Sequence, residues 1–322
     1  MTFETISFSD IPGVRTGNAQ DTQAMTGVTV FCFPQVADAA VNVLGGGPAS
    51  RESELANPER NVPGLNALVF AGGSSFGLEA SHGVMQWLEE HGIGYDTGPC
   101  LVPLVCQSDI YDLSYGRADV RPDKAMGYAA CADAFGSGRP VSGSVGAGTG
   151  ATVGKAKGMA RSQKGGIGYA AVRLGELLVG AAVVTNSYGD IYSEGRKIAG
   201  MTDGSRRKFE DAAEALYELH PSDLLTGNTT VAAVFTNGRF TAAELKKIAN
   251  MAAAGMARSI RPVFTMADGD TIYAVSPRTA RVEADINVTG SLAADVLGSA
   301  IKDAVESGRV SEEEFLSNVH QA

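Results

Sequence analysis

Short apolar runs alternate along this chain with stretches in which apolar residues recur at helical spacing. The apolar runs at 28–33, 67–71 and 177–185 predict buried strands. Helical spacing predicts helices over 123–135 and 290–306. Strands and helices are mixed throughout, without an internal repeat or a low-complexity linker, so the pattern predicts one layered α/β domain over 1–322.

Weaker local signals complete this map. Alternation of apolar and polar residues predicts strands over 39–44 and 281–286, and apolar spacing predicts a helix over 205–220. Thr241 followed three residues later by Glu244 forms a capping box, which predicts that a helix begins there.

The stretch that most invites a chemical interpretation is Gly227-Asn228-Thr229-Thr230, which runs directly into the apolar segment 231–235. Glycine followed by asparagine favours a turn, and the apolar segment favours a buried strand. By itself this pattern is satisfied by a structural turn entering a strand. It also suits a hydroxyl nucleophile that is exposed when the chain cuts itself at the Asn228–Thr229 bond.

Two glycine-rich segments resemble phosphate-binding loops without matching them. The segment 72–77 follows a predicted strand and precedes a helix, but its G-G-x-x-x-G spacing misses the dinucleotide fingerprint. The segment 146–155 lacks the required glycine at Thr149 and the hydroxyl residue at Ala156 of a P-loop. We interpret it as a turn-rich loop near a site, with Lys155 as its reactive side chain.

Composition and charge narrow the range of partners. The net charge of −10 argues against binding to nucleic acid or to an anionic membrane surface. No apolar run is long enough to cross a bilayer, and the first residues lack the features of a signal peptide. The four cysteines form no metal-binding spacing and are expected to be reduced and buried. We therefore expect a cytoplasmic protein without a cofactor or a metal.

The four histidines, at positions 82, 91, 220 and 320, accompany no Ser or Cys nucleophile motif, and no G-x-S-x-G or H-E-x-x-H occurs. An N-terminal nucleophile does not need a histidine, because the residue's own α-amine accepts the proton of its hydroxyl. The ordinary pKa of an α-amine, about 7.7–8.0, suits that role near neutral pH.

Several motifs, in the same order along the chain, resemble the DmpA-type family of L-aminopeptidase/D-esterases, β-peptidyl aminopeptidases and nylon-oligomer hydrolases. The motifs are Ile11-Pro-Gly-Val-Arg15, Thr26-Gly-Val-Thr29, Ala71-Gly-Gly-Ser-Ser-Phe-Gly-Leu-Glu79, Val120-Arg-Pro-Asp-Lys124, Gly227-Asn-Thr-Thr230 and Arg261-Pro262 with Asp268-Gly-Asp-Thr271. The resemblance implies an αββα sandwich. It also implies a precursor that splits into a 1–228 large subunit and a 229–322 small subunit, which stay together and assemble into homo-oligomers.

The resemblance also assigns roles to individual residues. Thr229 is expected to be the nucleophile, with Asn228 on the other side of the cleaved bond. Asn186 is expected to donate to the oxyanion, and Lys155 to lie near the nucleophile. Asp268 and Asp270 match acidic residues that orient the threonine.

On the substrate side, the resemblance points to Tyr111 and to Asp109, a carboxylate placed to hold a substrate ammonium group. The expected substrate is a short peptide, an amino-acid amide or an ω-amino amide, cleaved in an aminopeptidase-like reaction. The threonine nucleophile resembles instead that of the nylon-oligomer hydrolases, since several aminopeptidases of the family carry serine, so an endo-acting 6-aminohexanoate-oligomer hydrolase is the alternative. Two other interpretations stay open: an acyltransferase of the ornithine acetyltransferase type, and an unprocessed anion-binding protein.

Overall fold

A computed structural model describes residues 3–218 and 227–319 of the chain. The strands within this part are β1 (Glu4–Ile6), β2 (Arg15–Asp21), β3 (Thr26–Val43), β4 (Ala49–Arg51), β5 (Leu65–Ala71), β6 (Tyr95–Asp96), β7 (Leu101–Val102), β8 (Val105–Asp109), β9 (Thr152–Val153), β10 (Gln163–Lys164), β11 (Gly166–Leu174), β12 (Leu177–Asn186), β13 (Asp190–Ser193), β14 (Arg196–Ala199), β15 (Thr229–Thr236), β16 (Ile260–Arg261) and β17 (Thr271–Pro277). The α-helices are α1 (Ala80–Glu90), α2 (Lys124–Phe135), α3 (Ala212–Tyr217), α4 (Ala242–Ser259), α5 (Ile286–Ser307) and α6 (Glu312–Ser317).

Ten of the described strands form one continuous hydrogen-bonded sheet in the order β1-β11-β12-β15-β17-β3-β5-β8-β4, with β2 also paired to β3. The long strand β3 joins two halves of this sheet. Its first half pairs with β2 and β5, its second half pairs with β17, and its register with β5 shifts between Cys32 and Ala37. The sheet therefore folds over at this irregularity, and its two halves face each other.

An aromatic core fills the space between the two halves. Phe31 of β3 packs edge-on against Phe70 of β5, with ring centroids 5.4 Å apart. Phe235 of β15, from the other half, approaches Phe31 at 5.1 Å and Phe8 at 5.2 Å. Because successive side chains of a strand point to opposite faces, the neighbouring residue Val234 belongs to the core on the outer side of β15.

Each outer face is covered by a pair of helices. Helices α4 and α5 pack on β11, β12 and the second half of β3. On the other face, α2 packs on β2 and the first half of β3, and α1 packs on β5 and β8. The layers are therefore helix, sheet, sheet and helix. This arrangement confirms the αββα sandwich that the family resemblance implies.

Local predictions have mixed outcomes. Helix α2 has the predicted bounds to within a residue, and the capping box at Thr241 is present at the start of α4. The predicted strands 28–33 and 39–44 are parts of the single strand β3. The predicted helix over 205–220 begins only at Ala212, where the Asp211 carboxylate accepts hydrogen bonds from the first helical amides. Positions 219–220 lie outside the described residues.

The strand predicted over 281–286 is wrong. Val282 makes only an isolated bridge with Gly238, and the Asp285 side chain accepts hydrogen bonds from the amides of Asn287 and Val288. This cap starts α5 at Ile286, four residues before the helix that was predicted from apolar spacing. Asp285 thus satisfies the orphan amides of a helix, and the alternation around it reflects surface exposure.

Three of the cysteines are buried as expected, whereas Cys100 is exposed. No helix in the described ranges is both long and apolar enough to cross a membrane.

Candidate active site

Thr229 begins strand β15 and is only 4% exposed. It lies opposite Asn186, the last residue of the antiparallel strand β12. Gly227, two residues earlier, has φ of +99°, a backbone conformation that favours glycine. The turn that delivers Thr229 to the strand therefore depends on this glycine.

Two hydrogen bonds converge on the carbonyl oxygen of Asn228. The Thr229 hydroxyl donates to it at 2.5 Å, and the backbone amide of Gly269 donates to it at 2.8 Å. The Asn228 amide and side chain are held in turn by the carbonyl of Ala267, at 3.4 and 3.3 Å. The hydroxyl thus lies beside the carbonyl group of its own preceding residue, and a backbone N–H points at the same oxygen.

The turn that carries Gly269 is held by residues 44–47, a glycine-rich segment distinct from 72–77 and 146–155. The amide of Gly47 donates to the carbonyl of Asp268 at 2.9 Å, and the amide of Gly45 donates to that of Asp270 at 3.1 Å. A Cβ added to Gly269 would lie 2.6 Å from the Gly47 oxygen and 2.9 Å from the Thr229 hydroxyl. Only a glycine at 269 lets the turn approach the threonine this closely.

Asp268 and Asp270, the two acidic residues of the turn, are buried beside Thr229, but the described hydrogen bonds of their side chains go to other residues. Asp270 accepts from the amide of Thr230 at 2.7 Å and from the amide of Phe264 at 3.0 Å. Asp268 accepts from the amide of Tyr188 at 3.1 Å and from the hydroxyl of Thr265 at 2.5 Å.

Burial raises the pKa of both carboxyls. The pKa of Asp270 reaches about 7, with the charge of Asp268 as the second cause. A carboxyl with a pKa near neutrality can hold or release a proton under ordinary conditions.

Lys155 and Asn186 form a buried pair next to these carboxyls. The Lys155 ammonium donates to the side-chain oxygen of Asn186 at 2.9 Å and to its backbone oxygen at 3.0 Å, and it lies 3.5 Å from the carbonyl oxygen of Gly227. Burial lowers the pKa of Lys155 to about 7, and the nearby charge of Asp268 opposes that shift. Near neutral pH this lysine is therefore poised between its charged and neutral forms.

Asn186 is fully saturated on its acceptor side. Its side-chain oxygen accepts from Lys155 and from the amide of Thr152, while its side-chain nitrogen donates to the carbonyl of Tyr111 at 2.9 Å. Thr152 and Lys155 belong to the glycine-rich segment 146–155, which is buried beside the site. In this arrangement one amide hydrogen of Asn186 is committed to Tyr111.

The structure brings Tyr111 to the site and leaves Asp109 behind it. The Tyr111 ring lies against Gly227. Asp109 is fully buried, accepts from the Gln107 side chain at 2.8 Å and has its other oxygen beneath Gly77, without a hydrogen-bond partner among the described residues. Burial, reinforced by the charge of Asp112 and opposed by the Gln107 hydrogen bond, raises the pKa of Asp109 well above its ordinary value.

The site contains one group that sequence reasoning missed, the backbone amide of Gly269. Its only signal was the D-G-D turn itself, since a backbone donor leaves no side-chain trace. None of the described hydrogen bonds of the site involves a histidine. His82 lies within α1, and His91 follows its last residue and stacks on Trp87. His220 and His320 lie outside the described residues. Within residues 3–218 and 227–319, no group of three or more His, Cys, Asp or Glu is arranged to hold a metal ion.

Comparisons with known proteins cover nearly the whole chain. Residues 7–310 match peptidase family S58. An uncharacterized aminopeptidase of Mycobacterium leprae is 37% identical over 298 residues, which span 86% of this chain and 80% of the relative. A 6-aminohexanoate-oligomer endohydrolase of Kocuria sp. is 35% identical over 319 residues, spanning 94% and 86% respectively.

Solved structures share the fold. The L-aminopeptidase D-Ala-esterase/amidase from Ochrobactrum anthropi, described as a variant of the Ntn hydrolase fold, superposes with a TM-score of 0.71 at 17% identity, covering 99% of this chain and 97% of that one. A Burkholderia sp. beta-aminopeptidase gives a TM-score of 0.65 at 21% identity, covering 97% and 92%.

Proposed function

As a member of peptidase family S58 this chain is a hydrolase, and from that premise we propose that it activates itself by cutting the Asn228–Thr229 bond. The observation that carries the proposal is the pair of donors on the Asn228 carbonyl oxygen, the Thr229 hydroxyl and the Gly269 amide. A nucleophile beside the carbonyl and a fixed N–H on its oxygen are the two elements that attack on an amide requires.

The self-cleavage step proceeds by an N-to-O acyl shift. The Thr229 oxygen forms a bond to the carbonyl carbon of Asn228, and the negative charge that develops on the carbonyl oxygen is stabilised by the Gly269 amide. The C–N bond then breaks, and the nitrogen of Thr229 takes up the proton that its hydroxyl releases. Water hydrolyses the resulting ester, which leaves a carboxylate on Asn228 and a free amine and hydroxyl on Thr229.

The same atoms then turn over external amides. The free amine of Thr229 accepts the proton of the hydroxyl as it attacks the substrate carbonyl, and an acyl-enzyme ester forms. Water releases the acyl group and regenerates the threonine. The Gly269 amide stabilises the oxyanion in both steps, joined by the Asn186 side-chain N–H that does not bond to the Tyr111 carbonyl.

Buried charges set the proton balance of this site. Lys155, with its pKa lowered to about 7 by burial, lies within reach of the Asn186 side chain and the Gly227 carbonyl. A cation here lowers the pKa of the nearby Thr229 amine and so keeps that amine unprotonated and able to act as a base. Asp268 and Asp270 fix the turn that presents the Gly269 amide, by accepting hydrogen bonds from the amides of Tyr188 and Thr230.

The proposed substrates are short peptides, amino-acid amides and ω-amino amides, cleaved in an aminopeptidase-like reaction. Endo-hydrolysis of 6-aminohexanoate oligomers is the second candidate, favoured by the 35% identity to a relative that bears that name. The two processed pieces, 1–228 and 229–322, are proposed to stay together and to form homo-oligomers.

Intact-mass measurement of the purified protein tests the proposal. Two fragments that meet between Asn228 and Thr229 are expected, together with a single uncut species for Thr229→Ala. A wild-type chain that stays whole contradicts self-processing. Amino-acid p-nitroanilides and 6-aminohexanoate oligomers, each with and without an added amine acceptor, then separate exo-hydrolysis, endo-hydrolysis and acyl transfer.

A further inference from the structure

A second buried lysine, Lys164, lies beside the glycine-rich segment 146–155 and has no role in the proposed mechanism. It is 4% exposed and belongs to the short strand β10. Its ammonium group donates to three backbone carbonyls, those of Gly148 and Ala151 at 3.0 Å and that of Gly165 at 3.3 Å. An ammonium group has three N–H donors, so these carbonyls occupy all of them. Lys164 therefore acts on the backbone and not on a substrate.

The backbone that Lys164 holds leads directly to Asn186. Ala151 is followed by Thr152, whose amide donates to the Asn186 side-chain oxygen at 3.0 Å. Lys155, three residues further on, donates to the same oxygen at 2.9 Å. Thr152 also lies opposite Lys164 where β9 pairs with β10. Both donors that hold this oxygen thus belong to the segment that Lys164 fixes.

Asp112 packs against the same segment. A Cβ added to Gly150 would lie 2.6 Å from the Cβ of Asp112 and 2.7 Å from one of its carboxylate oxygens. Contacts this short essentially do not occur for real Cβ atoms, so glycine is required at this point. Burial lowers the pKa of Lys164 to about 7, and the charge of Asp112 is the largest cause that opposes the shift. The segment is therefore confined by a buried lysine and a buried carboxyl group.

The orientation of the Asn186 side-chain amide decides what it presents to an oxyanion. Its nitrogen donates one hydrogen to the Tyr111 carbonyl at 2.9 Å, which leaves the second for the oxyanion. An amide turned by half a rotation would present its oxygen in place of the nitrogen, and that oxygen cannot donate. Thr152 and Lys155 oppose this turn, because their N–H groups require an acceptor.

We propose that Lys164 is a positioning residue for Asn186. Its ammonium group fixes the carbonyls of the glycine-rich segment, and the segment keeps the Asn186 side-chain N–H directed at the oxyanion. The inference rests on the proposed function, because Lys164 has this purpose only if Asn186 stabilises an oxyanion. Removal of the ammonium group deprives three carbonyls of a buried donor, so the segment relaxes and the Thr152 amide moves away from its acceptor.

The first test replaces Lys164 by methionine, which keeps the length of the side chain and removes its donors. On the processed enzyme kcat is expected to fall with little change in KM, by up to the roughly 10²–10³-fold that loss of one oxyanion donor costs. Lys164→Arg keeps a charged donor group and is expected to restore most of kcat. The assay uses the amino-acid p-nitroanilide or 6-aminohexanoate oligomer that the wild type hydrolyses fastest.

Lys246→Met is the matched control for the loss of a lysine that binds a backbone carbonyl. Lys246 lies on α4 and donates to the carbonyl of Val41 at 2.6 Å, with no described contact to Asn186 or to the glycine-rich segment. This variant is expected to keep the wild-type kcat. Urea titrations establish that each variant is folded under the conditions of the assay.

The second test is a double-mutant cycle with Asn186→Ala. If Lys164 acts through Asn186, Lys164→Met is expected to change kcat by less than about twofold in the Asn186→Ala protein, because the amide that it positions is already gone. A lysine that acts independently of Asn186 lowers kcat by the same factor in both backgrounds. Should Lys164→Met fail to fold, Lys164→Gln, which keeps N–H donors without the charge, replaces it in the same cycle.

A wild-type kcat in folded Lys164→Met, or an equal fall in both halves of the cycle, overturns the positioning role. Either result leaves the proposed function standing, since the wild type still cuts itself and hydrolyses its substrate. A wild-type chain that neither cuts itself nor hydrolyses any of these substrates removes the proposed function and this inference together.

Discussion

Replacing Gly269 by alanine isolates the backbone donor at the heart of the proposed self-cleavage. The added Cβ would meet the Gly47 carbonyl oxygen at 2.6 Å and the Thr229 hydroxyl at 2.9 Å, so the turn must move away from the threonine. That movement lengthens the hydrogen bond from the 269 amide to the Asn228 carbonyl, now 2.8 Å. Loss of one oxyanion donor typically costs about 2.7–4 kcal/mol in the barrier, or roughly 10²–10³ in rate.

The assay follows the fraction of uncut chain by intact mass after synthesis, and Gly47→Ala serves as the matched control. A Cβ at position 47 meets only the Asp268 oxygen, at 3.9 Å, and the Gly47 amide can still hold the turn. Gly47→Ala is therefore expected to cut at the wild-type rate, while Gly269→Ala accumulates as precursor. Circular dichroism of both variants in a Thr229→Ala background separates loss of fold from loss of chemistry. A folded Gly269→Ala chain that cuts as fast as the wild type refutes the oxyanion role of this amide.

Three further predictions follow from the site and the core. Asn186→Ala is expected to lower kcat of the processed enzyme and, by leaving buried partners unpaired, to destabilise the fold by about 1–3 kcal/mol; unchanged turnover in p-nitroanilide assays removes it from catalysis. Because burial raises the pKa of Asp270 to about 7, its protonated form favours folding, so this group's contribution to stability is lost as pH rises from the ordinary carboxyl range through 7. Between pH 5 and pH 8, urea titrations should show a smaller fall in the free energy of unfolding for Asp270→Asn than for the wild type. An identical fall in both proteins would exclude this carboxyl as the cause. Phe235→Ala, which empties the aromatic core, is expected to lower the free energy of unfolding by about 3–5 kcal/mol, whereas Tyr217→Ala, at an 82% exposed position, should change it little in the same titration.

The sequence predicted well what a local pattern determines. Strand β15 and helix α2 follow directly from their apolar runs and their flanking turn and capping residues. The strand predicted over 281–286 failed because alternation cannot distinguish a strand from an exposed segment whose Asp285 caps a helix. Likewise, nothing local shows that β3 continues through its register shift from one half of the sheet to the other.

The candidate site, too, could be predicted from the sequence only in part. The family resemblance singled out Thr229, Asn186 and Lys155; in the structure the backbones of Thr229 and Asn186 are paired, and the Lys155 ammonium bonds to Asn186. Gly269 could not be identified, because its contribution is a backbone amide whose direction is set by the distant segment 44–47. Asp109 was expected to face a substrate, yet its neighbour Gln107 and the Gly77 turn enclose it, and its proposed contact with an ammonium group has no support in its surroundings.

The strand order gives the proposed cut a mechanical consequence. Strand β15 lies between β12 and β17, and β17 in turn lies beside β3, so strands from the two sides of residue 228 are interleaved in one sheet. Pulling the pieces apart would break the pairings of β15 with β12 and of β17 with β3, and would expose four bare strand edges. If the chain is cut as proposed, we therefore expect the two pieces to stay paired, and we expect separately unfolded pieces to recombine poorly because the pairings between them are non-local. If the Asn228–Thr229 bond is cut as proposed, the chain folds once as a precursor, and the pairing of β15 with β12 and of β17 with β3 then holds its two pieces together.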